Sequence, residues 1–298
     1  MNIAVTGATG FLGRHIANAL LSQGHTLQCA KRSGSDLGGF IDDHRITWVD
    51  STLADSDSFI PLINNVDAVI HAGLDWQGAK TGDIVSFCQN NLIGTLKLMA
   101  LSFESGVERF IYISSCGVHD VILADRKLDE AHPLWPNNPY GALKASIEAF
   151  IASYGFGRNW QICALRPTGI YGPRRPIERQ KWYRLIKKVM QNKTISTSSG
   201  GKEVHVTDCA RAVNILLNAN NTAGQMYNCY DHYIADQDIA VIAKEILGSS
   251  SEIIIRNQGC KNQIDTTKIE ALGMTFGGKP LLRQAIADLI QQIETTTL

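Results

Sequence analysis

The sequence predicts an α/β protein: a doubly wound parallel sheet followed by a smaller part with shorter elements. Three observations predict it. Short apolar runs of strand length alternate with stretches long enough for helices; a glycine turn joins the first run to a segment of helical periodicity; and the alternation weakens after Pro167. Long crossovers between short strands make the strands parallel, and a parallel sheet covered on both faces accounts for strands that are apolar throughout.

Residues 2–6 form the first apolar run, ended by glycines, and residues 11–23 carry Leu12, Ile16, Ala19 and Leu20 at helical spacing. Further strands are expected at 26–30, 46–49, 68–71, 110–114 and 161–165. Asn138-Pro139 opens a helix whose apolar positions 143, 147, 150, 151 and 154 make one stripe with Lys144 on its flank. Later helices are expected at 178–190, 207–219, 236–247 and 280–292. Residues 1–165 are thus expected to form the sheet domain and 166–298 the smaller part, with no internal repeat and no low-complexity linker.

A chain of 298 residues that is 44% apolar can bury a core of this size. Lys plus Arg and Asp plus Glu each total 28, so net charge offers no field for nucleic acid or an anionic membrane. The seven cysteines, at 29, 88, 116, 163, 209, 229 and 260, are odd in number and form no close pair. That spacing fits reduced thiols in a cytoplasm and no metal site. The glycine turn begins within a few residues of Met1, without a basic lead, and no apolar run reaches about 18 residues. Neither secretion nor a membrane span is expected.

Gly7, Gly10 and Gly13 stand three apart around Phe11 and Leu12. A strand that turns this sharply into a helix presents free N–H groups to a pyrophosphate, and glycine lets the backbones approach. After the second strand the chain reads Lys31-Arg32, where an NAD enzyme would offer an acid to the ribose hydroxyl. Two cations there suit a 2'-phosphate, which favours NADP over NAD. Tyr140 and Lys144, at i and i+4, lie on one helix face, where an ammonium can make a phenolate accessible near neutral pH.

With Ser115 upstream, these marks make the chain resemble the extended short-chain dehydrogenase/reductase superfamily, in its epimerase/dehydratase branch. The resemblance is carried by Thr6-Gly7-Ala8-Thr9-Gly10-Phe11-Leu12-Gly13, Tyr112-Ile113-Ser114-Ser115, Tyr140-Gly-Ala-Leu-Lys144, Leu165-Arg166-Pro167 and Ile170-Tyr171-Gly172-Pro173. Weaker marks are His71-Ala72-Gly73, Asn91 to Thr95, Val206-Thr207-Asp208 and Tyr227-Asn228. It implies a Rossmann-type fold with some later segments returning to the sheet, and a dimer paired through helices including the one with Tyr140. It also implies proton transfer by Tyr140, an orienting hydrogen bond from Ser115, and a ribose contact and pKa depression from Lys144. Asp50 would meet the adenine; His71, Ala72, Gly73, Asn91 and Pro167 would line the cofactor's path.

On the substrate side the candidates are Ser115, Trp76 and the basic residues Arg174, Arg175 and Arg179. Arginines suit an anionic substrate, and family precedent makes that a nucleotide sugar. The expected activity is epimerisation of such a sugar through a keto intermediate. The alternatives are an NADPH-dependent carbonyl reductase or alcohol dehydrogenase and a non-catalytic NADP-binding sensor. Dehydratases of this branch carry Asp-Glu directly after the catalytic hydroxyl residue, where this chain has Cys116-Gly117. Dehydration is therefore disfavoured, and Cys116 is expected to be a packed thiol.

Overall fold

A computed structural model describes residues 1–41, 43–256 and 262–297, so Cys260 lies outside the described residues. The chain runs β1 (Asn2–Thr6), α1 (Phe11–Ser22), β2 (Thr26–Lys31), β3 (Ile46–Asp50), α2 (Phe59–Leu62), β4 (Ala68–His71), α3 (Gln77–Thr81), α4 (Ile84–Cys88), α5 (Gly94–Glu104), β5 (Arg109–Ile113), α6 (Pro139–Arg158) and β6 (Gln161–Pro167). It continues with β7 (Gly169–Tyr171), α7 (Tyr183–Met190), β8 (Ile195–Ser196), β9 (Gly200–His205), α8 (Val206–Asn218), β10 (Gln225–Cys229), β11 (His232–Ala235), α9 (Asp236–Leu247), β12 (Ile253–Ile254), α10 (Thr267–Glu270) and α11 (Gly278–Thr297).

Seven strands form one parallel sheet in the order β10-β6-β5-β4-β1-β2-β3. This is the doubly wound, Rossmann-like architecture expected. The chain first steps outward from β1 to β2 and β3, then crosses back to place β4 on the other side of β1. That reversal opens a crevice at the carboxyl ends of β1 and β4, the position where open α/β sheets bind ligands. All strands being parallel, the segments after β1, β2, β3, β4, β5 and β6 emerge at one edge.

Two compact units divide the chain: Met1–Pro167 with Cys209–Cys229 and Ile264–Met274, and Thr168–Asp208 with Tyr230–Gln263 and Thr275–Leu298. In the first, Val69, Phe110, Tyr112, Leu143, Ile147, Ile151 and Trp160 form a buried core between sheet and helices. In the second, a sheet ordered β11-β9-β7 stands apart from the β12-β8 pair. Its core joins Ile186, Val189, Ile239, Leu282, Ile286 and Leu289. No described helix is long and apolar enough to cross a membrane.

Three expectations need correction. The stripe on α6 does not include Phe150, which is 43% exposed, whereas Lys144 and Glu148 are buried in the packed face. The helical turn at i+4 carries those two inward, where each finds a polar partner. The helix expected over 178–190 is only α7: a 3-10 turn spans Ile177–Arg179, Gln180 is extended, and Trp182 takes a left-handed φ of 65°. Finally α11 runs beyond 292, to Thr297.

Candidate active site

The glycine turn is a close-packed cradle. Gly7 has a φ of 67°, and a Cβ there would fall 2.6 Å from the Ala72 carbonyl carbon. A Cβ on Gly13 would fall 2.1 Å from the Gly7 oxygen, and the Gly10 amide donates to that oxygen at 2.9 Å. At its N-terminus α1 has no capping side chain and no acid in its first turn, which begins with Phe11 and Leu12. With no capping side chain or acid at the start of this twelve-residue helix, the residues present fit the pyrophosphate of a nicotinamide dinucleotide.

Around the cradle, several expected residues turn out to be engaged with one another. Lys31 and Asp50 are register partners across β2 and β3, and the Lys31 ammonium pairs with the Asp50 carboxylate at 2.9 Å. Arg32 is exposed at the end of β2, its amide donating to Ser35 Oγ at 3.0 Å. His71 is fully buried, with Nδ1 bonded to Thr6 Oγ1 at 2.6 Å and Nε2 to Thr95 Oγ1 at 2.8 Å. Burial, then the Lys144 charge, push its pKa down to about 3, so it is neutral and has no ring nitrogen left for a ligand. The Gly73 amide donates to Thr6 Oγ1 at 3.1 Å, which ties the β4 loop to β1. Pro167, buried, ends β6.

Asn91 is 1% exposed and lies in a π-helical turn, Gln89–Ile93, between α4 and α5. Its Oδ1 accepts from the Asp75 amide at 2.7 Å, and its Nδ2 donates to the Asp75 carbonyl at 2.8 Å and the Phe87 carbonyl at 2.9 Å. The side chain thus clamps the loop after β4. Such interruptions in a helix recur at functional sites.

Ser115 follows β5 and starts a short turn in which its Oγ accepts from the Gly117 amide at 3.0 Å. Asn138 caps α6 by accepting from the Gly141 amide at 3.0 Å, with Pro139 beginning the helix. The two elements meet through glycines: a Cβ on Gly141 would stand 2.3 Å from the Gly117 oxygen. That approach places the Tyr140 phenol beside Ser115, whose side chain acts to lower the phenol's pKa. Lys144, 5% exposed, donates from Nζ to the Ile113 carbonyl at 2.6 Å and lies 4.4 Å from the Tyr112 ring centroid and 5.7 Å from that of Tyr140.

The electrostatics correct one expectation. Burial raises the Tyr140 phenol above its ordinary value, and the Ser115 side chain only partly opposes this. Lys144 donates to the Ile113 carbonyl, and burial pushes its own pKa down to about 7, against the raising influence of Glu148. Behind Lys144 lies a buried network that sequence reasoning missed. Arg166 donates to both Glu148 oxygens, at 2.9 and 2.6 Å, and Ser114 Oγ donates to Glu148 Oε1 at 2.5 Å. The remaining Arg166 nitrogen meets His119 Nε2 at 3.2 Å. The available signal was the spacing Tyr140, Lys144, Glu148, one helix face carrying a carboxylate that needs a cation.

Cys116 Sγ donates to the Arg166 carbonyl at 3.0 Å. Trp76 lies over Tyr140, ring centroids 5.3 Å apart and planes 21° from parallel. Ser115, Tyr140, Lys144 and Trp76 are therefore brought together. Arg174, Arg175 and Arg179 are exposed in the other unit, around a cis Arg175-Pro176 bond.

A glycine cradle beside a Ser-Tyr-Lys cluster on this sheet is the arrangement of the extended short-chain dehydrogenase/reductase superfamily. The chain belongs to the NAD dependent epimerase/dehydratase family, a family of enzymes, whose model matches residues 3–229. It is similar to the low-salt glycan biosynthesis protein Agl12 of Haloferax volcanii, 26% identical over 92% of this chain and 93% of that one. Among solved structures, UDP-glucose 4-epimerase from Thermotoga maritima, with UDP-glucose, has the same fold, with a TM-score of 0.81 at 20% identity over the whole of both chains. So does dTDP-glucose 4,6-dehydratase from Bacillus anthracis, in complex with NAD, with a TM-score of 0.79 at 19% identity, over 99% of this chain and 97% of that one. Epimerases and dehydratases both stand among the similar proteins, so family membership does not separate the two reactions.

Proposed function

We propose that the protein is an NADP-preferring enzyme that epimerises a nucleotide sugar through a transient ketone. The observation that carries this is the convergence of Ser115, Tyr140 and Lys144 at the strand ends beside an uncapped glycine cradle. The turn from Gly7 to Gly13 would hold a nicotinamide dinucleotide, which when bound would supply the hydride acceptor and donor for the sugar carbon. Tyr140 Oη takes the proton of the sugar hydroxyl and gives it back, because an alcohol becomes a ketone only if that proton leaves with the hydride. The Ser115 hydroxyl orients the sugar oxygen. Tyr140 lies in the first turn of α6, where the backbone dipoles favour the phenolate, and Lys144 is the group assigned to the cofactor ribose.

Since Lys31 is held by Asp50, Arg32 is the group that discriminates for the 2'-phosphate. Arg174, Arg175 and Arg179 are the groups whose guanidinium forks suit the substrate's diphosphate. Cys116-Gly117 directly after Ser115 supports epimerisation over dehydration, because neither residue can serve as the acid-base pair that eliminates water. The protein acts as a cytoplasmic homodimer, for which the exposed Phe150 on α6 offers an apolar contact.

Incubation with NADP⁺ or NAD⁺ and a panel of uridine- and thymidine-diphosphate hexoses, with products resolved by NMR, tests the reading. Interconverted epimers are expected, faster with NADP⁺ present. A 4-keto-6-deoxy sugar as product would show a dehydratase, and stoichiometric reduced cofactor a simple dehydrogenase.

A further inference from the structure

We propose that Trp76 is a positioning residue for Tyr140: its indole, stacked on the phenol, fixes the ring plane and keeps water from that face. A reacting hydroxyl is then confined to the oxygen edge of the ring. Trp76 stacks on the phenol at 5.3 Å, while Gly117, with no side chain, leaves the ring edge near Cε1 open: a Cβ there would only reach ordinary contact at 3.7 Å.

The indole is itself held in place by its backbone. Asn91 bonds both the amide and the carbonyl of Asp75, and the Asp75 carboxylate accepts from Asn90 Nδ2 and from the Gln77 amide, each at 3.0 Å. Position is thus passed from a buried carboxamide to the loop, and from the loop to the stack. Trp76 is nevertheless 48% exposed, so core packing does not explain its place. A stacked pair of this geometry is worth more than its buried area alone.

The groups facing Tyr140 are the Ser115 hydroxyl, the Cys116 thiol, the Tyr112 phenol and the Lys144 ammonium. Trp76 adds no charge to them. It acts on the phenol through burial and stacking, and burial is the main cause that raises the phenol's pKa. Opening that face to water therefore lowers it.

The proposal rests on Tyr140 being the proton-transferring group, and its test is made independent of turnover. In the full chain without substrate, the tyrosinate absorbance lost on Tyr140→Phe isolates the titration of Tyr140, within the pH range where circular dichroism stays native. The same difference is measured in Trp76→Phe and Trp76→Ala backgrounds. The expected result is an acid dissociation constant raised about tenfold in Trp76→Ala and less than about threefold in Trp76→Phe, which keeps a stacking ring. A Trp76→Ala constant within about threefold of the parent overturns the proposal.

If Trp76→Ala does not fold, the parent carries the test. The emission lost on Trp76→Phe must then fall with the midpoint of Tyr140 ionisation, and emission that ignores that midpoint overturns the stack. Full turnover by Tyr140→Phe would remove the catalytic reading while leaving these titrations to decide the stack by themselves.

Discussion

Tyr140 differs from phenylalanine by one hydroxyl, and that hydroxyl is the group whose ionisation the Ser115 side chain favours. Tyr140→Phe is therefore expected to keep the fold and cofactor affinity while lowering turnover by at least about 100-fold, measured as steady-state kcat. Undiminished kcat would take the phenol out of the mechanism. Arg32 carries the second residue-scale prediction. Arg32→Ala should weaken NADPH binding by about 1–3 kcal/mol with little effect on NADH, as calorimetric titration of each would read. Equal losses for both cofactors would place the guanidinium away from the 2'-phosphate. The Tyr–Lys pair was visible in the sequence because a helix repeats every 3.6 residues. The direction of the phenol's shift was not, because it depends chiefly on how deeply the folded chain buries the ring.

Elements, more than single side chains, decide whether Ser115 and Tyr140 meet. The turn after β5 and the start of α6 touch at Gly117 and Gly141, where an added Cβ would stand 2.3 Å from a carbonyl oxygen. Gly141→Ala should push α6 away and lower kcat by about tenfold or more, although the substituted site contains no reacting group. Wild-type kcat in that variant would show that the contact is not needed for alignment. The sequence shows both glycines but not that they face each other across 23 intervening residues, since only the sheet order and the connection to α6 determine that. The π-turn at Asn91 was invisible for a similar reason: its signal is a partner, the backbone of Asp75, and not a pattern. Glu148 and Arg166 form a buried pair that locks α6 to β6. Glu148→Ala strands a buried guanidinium and should cost about 3–5 kcal/mol in denaturant unfolding.

For the whole molecule, the parallel sheet was legible because its strands are apolar throughout and separated by helix-length segments. The second unit was less so, because its sheet is built from strands with glycines and charges, such as β9 with Gly200, Gly201, Lys202 and Glu203. Buried histidines give the molecule a pH dependence. His71 titrates at about 3 and His119 at about 4, both below the ordinary 6.5 because burial penalises the charged ring. Unfolded chains take up these protons first, so stability present above about pH 6.5 is lost as the pH falls toward those values. The Tm should drop by on the order of 5 °C between about pH 6.5 and 4.5, with a shallower slope in His119→Gln. An equal slope in that variant would show that His119 is not the group responsible.

Whether hydride is removed from a sugar and returned to it can be measured directly. A nucleotide hexose deuterated at the reacting carbon is incubated with the protein and substoichiometric NADP⁺, with label followed by NMR and cofactor by absorbance. The account predicts an epimer that keeps its deuterium at the same carbon, over many turnovers, with no net accumulation of reduced cofactor. Loss of the label with stoichiometric NADPH, or no conversion of any nucleotide hexose alongside turnover of a simple carbonyl compound, would contradict it.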